Sequence, residues 1–244
     1  MRSIGLRRKA YVANHSGEEF IVPLIKNSID KLIEEYKEKI VGKKVIDIGS
    51  GSQPFRAALE NAGGTYSSMD IEQHFETQTD FSGGIDQELC GAVLDAGPFS
   101  FILCTEVLEH VADWDKAFQN FHTLLAPNGI LIITTPFFYP LHEVPYDYWR
   151  PTPFAFQYFS KKHNLLVDKY EQSGGFLDVL GTLYGNHAYV KPRKSTLFRR
   201  FQNKVIHLYI KYSLKILKSR YLHKNFEIKN PFYQTTVCVI TKQS

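Results

Sequence analysis

Val45-Ile46-Asp47-Ile48-Gly49-Ser50-Gly51, followed by Ser52-Gln53-Pro54, decides how this chain is read. Lys44 to Gly49 is a short apolar run, rich in branched residues and closed by glycine, which predicts a buried β-strand. Pro54 opens a helix readily, because the N–H it lacks would have had no partner in the first turn. The unit therefore reads strand, glycine-rich turn, helix. Two glycines allow backbone conformations and close approaches that side chains block, so a ligand can lie over the strand's carboxyl end beside a helix N-terminus. A glycine turn with no ligand is the plainer alternative, and this motif alone does not separate the two.

Thr65 to Ile71, Phe99 to Thr105 and Gly129 to Thr135 are further apolar strand candidates, with a short one at Glu76 to Phe81. Trp114 to Leu125 has the spacing of an amphipathic helix. Strands alternating with helices pair in parallel through crossovers, which predicts an α/β fold: a doubly wound, Rossmann-like sheet of about seven strands with helices on both faces. Upstream, Ser16-Gly17-Glu18-Glu19 matches a capping box, and Phe20, Leu24, Ile25, Ile29, Leu32, Ile33 and Tyr36 follow at helical spacing. Downstream, Pro153 to Lys161 predicts a helix, Leu165 to Glu171 a strand and Gln234 to Thr241 a final strand. The expected organisation is one domain over 1–244: an N-terminal helix at 16–40, a cofactor-binding core at 41–173, a basic helical insertion at 174–231 and a last strand at 232–244.

Hydrophobic residues make up 43% and charged residues 22%, an ordinary globular balance that excludes disorder along the whole chain. Cys90, Cys104 and Cys238 are an odd, widely spaced set without zinc-ligand spacing, so reduced thiols and no metal are expected. With neither a secretory signal nor an apolar run of about 20 residues, the expected location is cytoplasmic. Net charge is +4, but residues 179 to 226 hold eleven of the 29 bases and no acid. The remaining 18 bases face 25 acids, so the positive charge is local.

Asp70 stands 19 residues beyond Gly51, at a predicted strand end, where a carboxylate can accept hydrogen bonds from both hydroxyls of a ribose. A solvated turn aspartate is the alternative. A dinucleotide site would place a third glycine where this chain has Pro54, which disfavours a pyrophosphate.

Val45 to Gly51, Asp70, Asp80-Phe81, Cys104-Thr105-Glu106-Val107-Leu108-Glu109-His110-Val111 and Pro127-Asn128-Gly129-Ile130-Leu131 together resemble class I S-adenosylmethionine-dependent methyltransferases. The likeness covers roughly residues 40 to 173 and the last strand. It implies S-adenosyl-L-methionine as cofactor, with Gly49, Ser50 and Gly51 bounding the loop under its methionine end and Asp47 orienting that end. It further implies Asp70 on the ribose, Ile71 on adenine, Asp80 and Phe81 at the adenine amine and ring, and Cys104, Thr105 and Glu106 lining the cofactor. Residues 136 to 153 look, more loosely, like methyltransferases of sugar and surface-polysaccharide biosynthesis.

Three candidates for acceptor chemistry remain. His110 is a possible general base, although a histidine at a helix start beside Glu109 also caps or packs. The loop Pro136 to Pro153 carries five prolines, several aromatics, His142, Glu143, Tyr146, Asp147 and Arg150. It either forms an acceptor pocket, with His142 and Tyr146 as catalytic candidates, or fills its own core. Phe198, Phe201, Val205, Leu208, Tyr209, Tyr212 and Ile216 recur at three and four residues, with Arg199, Arg200, Lys204, Lys211, Lys215 and Lys218 expected on the opposite side. Such a helix over 196–222 either meets an anionic membrane at the inner surface or packs on the domain. Its apolar face disfavours nucleic acid. The leading expectation is methyl transfer to a small or lipid-linked acceptor, glycans included. A non-catalytic membrane-associated binding protein and a nicotinamide-dependent dehydrogenase are the alternatives.

Overall fold

The computed structural model describes residues 11–71, 77–187, 197–225 and 232–243. In chain order the helices are α1 (Val22–Glu35), α2 (Arg56–Asn61), α3 (Gly91–Ala96), α4 (Trp114–Leu124), α5 (Pro153–Lys162), α6 (Phe176–His187), α7 (Leu197–Leu217) and α8 (Arg220–Asn225). The strands are β1 (Lys44–Ile48), β2 (Thr65–Asp70), β3 (Phe81–Ser82), β4 (Phe99–Thr105), β5 (Leu125–Pro136), β6 (Leu165–Ser173) and β7 (Thr235–Lys242).

All seven strands form one sheet in the order β3-β2-β1-β4-β5-β7-β6. From β3 to β5 neighbours are parallel, whereas β7 runs antiparallel between β5 and β6. Alternation of strands and helices therefore predicts the parallel part correctly and misses the reversal of the last strand. That strand follows a helical excursion and enters from the carboxyl edge.

Both faces of the sheet are covered, and successive residues divide between them as period-two geometry requires. Ile102, Cys104, Leu131, Ile133, Cys238 and Ile240 join one core with Trp114, Phe118 and Phe121 of α4 and Phe156 of α5. Phe101, Leu103, Ile130, Ile132, Val237 and Val239 join the other, with Ile25, Ile29 and Leu32 of α1 and Leu59 of α2. Phe101, Phe118 and Phe121 are fully buried. Removing one of these rings would cost on the order of 3–5 kcal/mol.

Four local expectations change. The capping box does not form: α1 starts at Val22 after Ile21, with Pro23 in its first turn and no side-chain cap. Ser16 and Gly17 lie instead against α6, where a β-carbon on Gly185 would meet Ser16 backbone at 2.5 Å, so tertiary packing has claimed the motif. Helix α2 starts at Arg56 rather than Pro54, because Gln53 takes a left-handed φ of 58° and prolongs the turn. The third strand shrinks to Phe81–Ser82, and Glu76 lies outside the described residues. On α7 the buried residues are Ile210, Leu214 and Leu217, while Phe201, Val205, Leu208, Tyr209, Tyr212 and Ile216 are exposed. Lys204, Lys211 and Lys215 flank this exposed row rather than oppose it, being three residues on, about 60° round the helix, from Phe201, Leu208 and Tyr212. The side chains of Phe198, Arg199 and Arg200 lie outside the described residues.

Candidate active site

The site forms where β1, β2, β4 and β5 end together at the carboxyl edge, the usual ligand position in a doubly wound sheet. After β1, Gly49 and Gly51 take left-handed φ values of 71° and 52°. They serve different purposes. A β-carbon on Gly49 would lie 2.2 Å from Val107 Cγ2, so this glycine lets the loop close on the turn after β4. A β-carbon on Gly51 would meet nothing within 4 Å, so Gly51 fronts open space. Asp70 at the end of β2 is buried, and its Oδ2 accepts the Gly51 N–H at 2.8 Å. The strand-end acid and the glycine loop are thus one unit. Ile71, next along, is an exposed apolar side chain.

Asp47 is buried, and its Oδ2 accepts the Tyr66 hydroxyl proton at 3.2 Å. Burial pushes its pKa up to about 7, the Tyr66 hydrogen bond opposes that, and nearby Asp70 adds to it. An acid poised there meets a positive group well, because ionising it then gains a partner. Ser50, Thr105, Thr134 and Thr135 at the ends of β1, β4 and β5 have buried hydroxyl oxygens with no hydrogen-bond partner among the described residues. Open space at Gly51, polar atoms lacking partners and an acid beside each of two strand ends fit a nucleoside carrying an amino-acid tail.

Two of the expected cofactor residues also make contacts within the protein. Asp80 Oδ2 accepts both the Ser68 N–H and the Ser68 hydroxyl at 2.8 Å, which ties the start of β3 to β2. Phe81 is half-buried and packs against the core. Cys104 is fully buried in that same core, its thiol pKa pushed well up by burial, so its side chain packs rather than lining a ligand. Beyond Thr105, Glu106 adopts a left-handed φ of 54°, an unusual state for a residue with a side chain. Its N–H donates to Thr134 O at 3.0 Å.

The loop after β5 is held to the turn after β4. Tyr148 and Trp149 N–H groups donate to Glu109 O at 2.8 and 3.2 Å, and Trp149 Nε1 donates to Val111 O at 2.8 Å. Arg150 grips Asp147 through two bonds of 2.6 and 2.8 Å. Asp147 Oδ2 in turn accepts the His142 N–H at 3.0 Å and lies 3.3 Å from His142 Nδ1. His142 and His110 meet edge to face with ring centroids 4.8 Å apart. His110 Nδ1 is 3.0 Å from Tyr146 O, and its Nε2 is 3.8 Å from Glu109 Oε1. His110 thus contacts both its own turn and the loop after β5. Tyr146 is bound through its backbone.

Burial and the neighbouring His110 and Arg150 lower the His142 pKa against the opposing pull of Asp147, so this imidazole is neutral at pH 7. Glu109 is fully buried, with neither carboxyl oxygen hydrogen-bonded among the described residues. Burial, chiefly, and nearby Glu106 raise its pKa well above the ordinary carboxylate value. Sequence reasoning did not single out Glu109, although a lone charge within Val107-Leu108-Glu109-His110-Val111 is a usable signal. Glu109, His110 and His142 each bring one ligand atom within 4.8 Å of the others. The sequence expects no metal, yet this donor set suits a divalent cation as well as a shared proton.

The carboxyl end of the sheet thus carries a glycine loop tied to a strand-end acid, and a histidine pair that joins the turn after β4 to the loop after β5. A methyltransferase domain family matches residues 23–168, and the chain belongs to that family. Among curated proteins it is similar to the ubiquinone biosynthesis O-methyltransferase of Actinobacillus pleuropneumoniae, 29% identical over 42% of this chain and 50% of that one. It is also similar to the enzyme of the same name from Coxiella burnetii, 26% identical over 62% of this chain and 71% of that one. The chain spans about half the length of the Actinobacillus and Haemophilus relatives it matches. A solved cyclopropane synthase from Mycobacterium tuberculosis shares the fold, with a TM-score of 0.54 at 15% identity, covering 95% of this chain and 90% of that one. These relatives are named for ubiquinone biosynthesis, so they lend no support to the sugar and polysaccharide association.

Proposed function

We propose that the chain transfers the methyl group of S-adenosyl-L-methionine to a hydroxyl of a small or lipid-linked acceptor. The observation that carries this reading is the arrangement at the carboxyl edge of Asp147 and His142, from the loop after β5, against His110, from the turn after β4. The sulfonium supplies an activated methyl group, so the protein's task is alignment and management of one proton. Gly49 to Gly51 with Asp70 would hold the nucleoside, and Asp47 would meet the ammonium of its amino-acid end.

With Nδ1 turned toward Asp147 and Pro140 O, His142 presents Nε2 as the basic nitrogen. Its lowered pKa keeps that nitrogen unprotonated at neutral pH, ready to take the acceptor's hydroxyl proton. A neutral base suits a hydroxyl, which is a poor nucleophile until it loses its proton. The relatives' names, which specify O-methylation, support the same choice.

The test is a screen of hydroxyl acceptors with methyl-labelled cofactor, followed by His142→Ala. Turnover of the variant should fall on the order of 10²-fold or more, with adenosylhomocysteine affinity unchanged. Equal loss of cofactor affinity would make the loop a structural part of the cofactor site. If a chelator abolishes turnover and a divalent ion restores it, the histidines serve a metal and the base assignment is wrong. Absence of turnover with bound cofactor would favour the binding-protein alternative.

A further inference from the structure

We propose that the outward face of α7 is a docking surface for an anionic bilayer. The helix is seated by Ile210, Leu214 and Leu217, which pack on Phe20 and on Leu177, Leu180 and Tyr184 at the start and along α6. Lys218 adds an ion pair to Glu19. That contact accounts for one side of the helix. On the other, Phe201, Val205, Leu208, Tyr209, Tyr212 and Ile216 stand in solvent, Phe201 at 65% and Tyr212 at 59% exposure. A row of large apolar side chains on one exposed helix face exceeds the scattered apolar surface of ordinary soluble proteins.

The charge beside that row selects the occupant. Lys204, Lys211 and Lys215 run along its flank, and none of them forms an ion pair with a described residue. They belong to the stretch 179–226, which has eleven bases and no acid. A second copy placed face to face would bring these lysines together while excluding water. Nucleic acid would satisfy the lysines and leave the apolar row wet. A bilayer rich in acidic headgroups satisfies both, taking the apolar row below the headgroups and leaving the ammonium groups among the phosphates. No described helix is long and apolar enough to cross a membrane, so the contact is superficial.

The position of the helix gives the contact a use. Strand β7 starts at the carboxyl edge, where Gln234 O accepts the N–H groups of Phe137 and Phe138 at the root of the acceptor loop. Gln234 Nε2 donates to Thr182 Oγ1 of α6 at 2.8 Å, and α7 packs on α6. Contacts through α6 and Gln234 therefore link the docking helix to the root of the acceptor loop. Delivery of a lipid-linked acceptor from the bilayer rests on the methyl-transfer reading; docking itself does not.

The experiment is flotation of the full chain with phosphatidylcholine vesicles, with and without phosphatidylglycerol. The wild type should partition at least about tenfold better onto the anionic vesicles, and added salt should reduce the preference. Lys204→Glu with Lys211→Glu and Lys215→Glu should abolish that preference. Phe201→Ser with Leu208→Ser should weaken binding to both vesicle types. All five positions are exposed, so unfolding midpoints and adenosylhomocysteine affinity should match the wild type, which separates failure here from failure of the methyl-transfer reading. Wild-type protein that ignores vesicles or binds both equally overturns the proposal. So does a dimer in gel filtration that Phe201→Ser with Leu208→Ser dissociates, which would assign the face to a second copy.

Discussion

Replacing Asp47 with asparagine isolates the charge at the end of β1 and tests the electrostatics of the site. Its ordinary pKa of 3.8 rises to about 7 in the folded protein, mainly through burial. The folded value lies above the unfolded one, so between those two pH values the unfolded chain has ionised this group while the native chain still holds the proton. Stability is therefore lost as pH rises through that window, by about 1.4 kcal/mol per pH unit, and reaches a total on the order of 4 kcal/mol. Asparagine retains an oxygen for the Tyr66 hydroxyl and cannot ionise. The absolute stability change mixes this relief with altered packing, but the pH dependence does not. Urea unfolding of both proteins at about pH 5 and about pH 7 should show the wild type losing roughly 2.3 kcal/mol more than Asp47→Asn over that interval, the slope easing as the native carboxyl begins to ionise near pH 7. Parallel profiles would refute the reasoning, because they require Asp47 to be ionised in the native state already at the lower pH. The ammonium of adenosylhomocysteine should draw the carboxyl into its charged form, so binding near pH 6 should release a proton in the wild type and none in the variant. Calorimetry in two buffers of different ionisation enthalpy measures that release.

Two further outcomes follow from the same loop. Asp70→Ala removes both the proposed ribose acid and the acceptor of the Gly51 N–H, so adenosylhomocysteine affinity should fall at least tenfold, on the order of 1.5–3 kcal/mol; unchanged affinity by calorimetry would displace Asp70 from the cofactor site. Gly49→Ala puts a β-carbon 2.2 Å from Val107 and strains a φ of 71°, so the unfolding midpoint should drop, and adding Val107→Ala should restore part but not all of the loss; full restoration would mean the left-handed backbone carries no cost.

Much of this protein is written in local sequence. Alternating burial along β4, β5 and β7 follows from a two-residue period, so the apolar runs predict strands whatever surrounds them. Gly49, Gly51 and Asp70 were legible for a related reason: left-handed backbone demands glycine, and an acid at a strand end has a characteristic spacing from it. Other features depend on what residues meet after the chain has folded. Ser16-Gly17-Glu18-Glu19 carries a capping signal, but contact with α6 decides its conformation and moves the helix start to Val22. Asp80 matches a family position, yet Ser68 holds its carboxyl, and Cys104 matches another while its side chain enters the core. Helical spacing finds an amphipathic α7 without saying which of its apolar rows is covered. The answer, Ile210, Leu214 and Leu217, comes from the complementary surface of Phe20 and α6. Glu109 is the clearest case: its apolar neighbours in sequence hint at burial, but the approach of His142 from 33 residues downstream exists only in three dimensions.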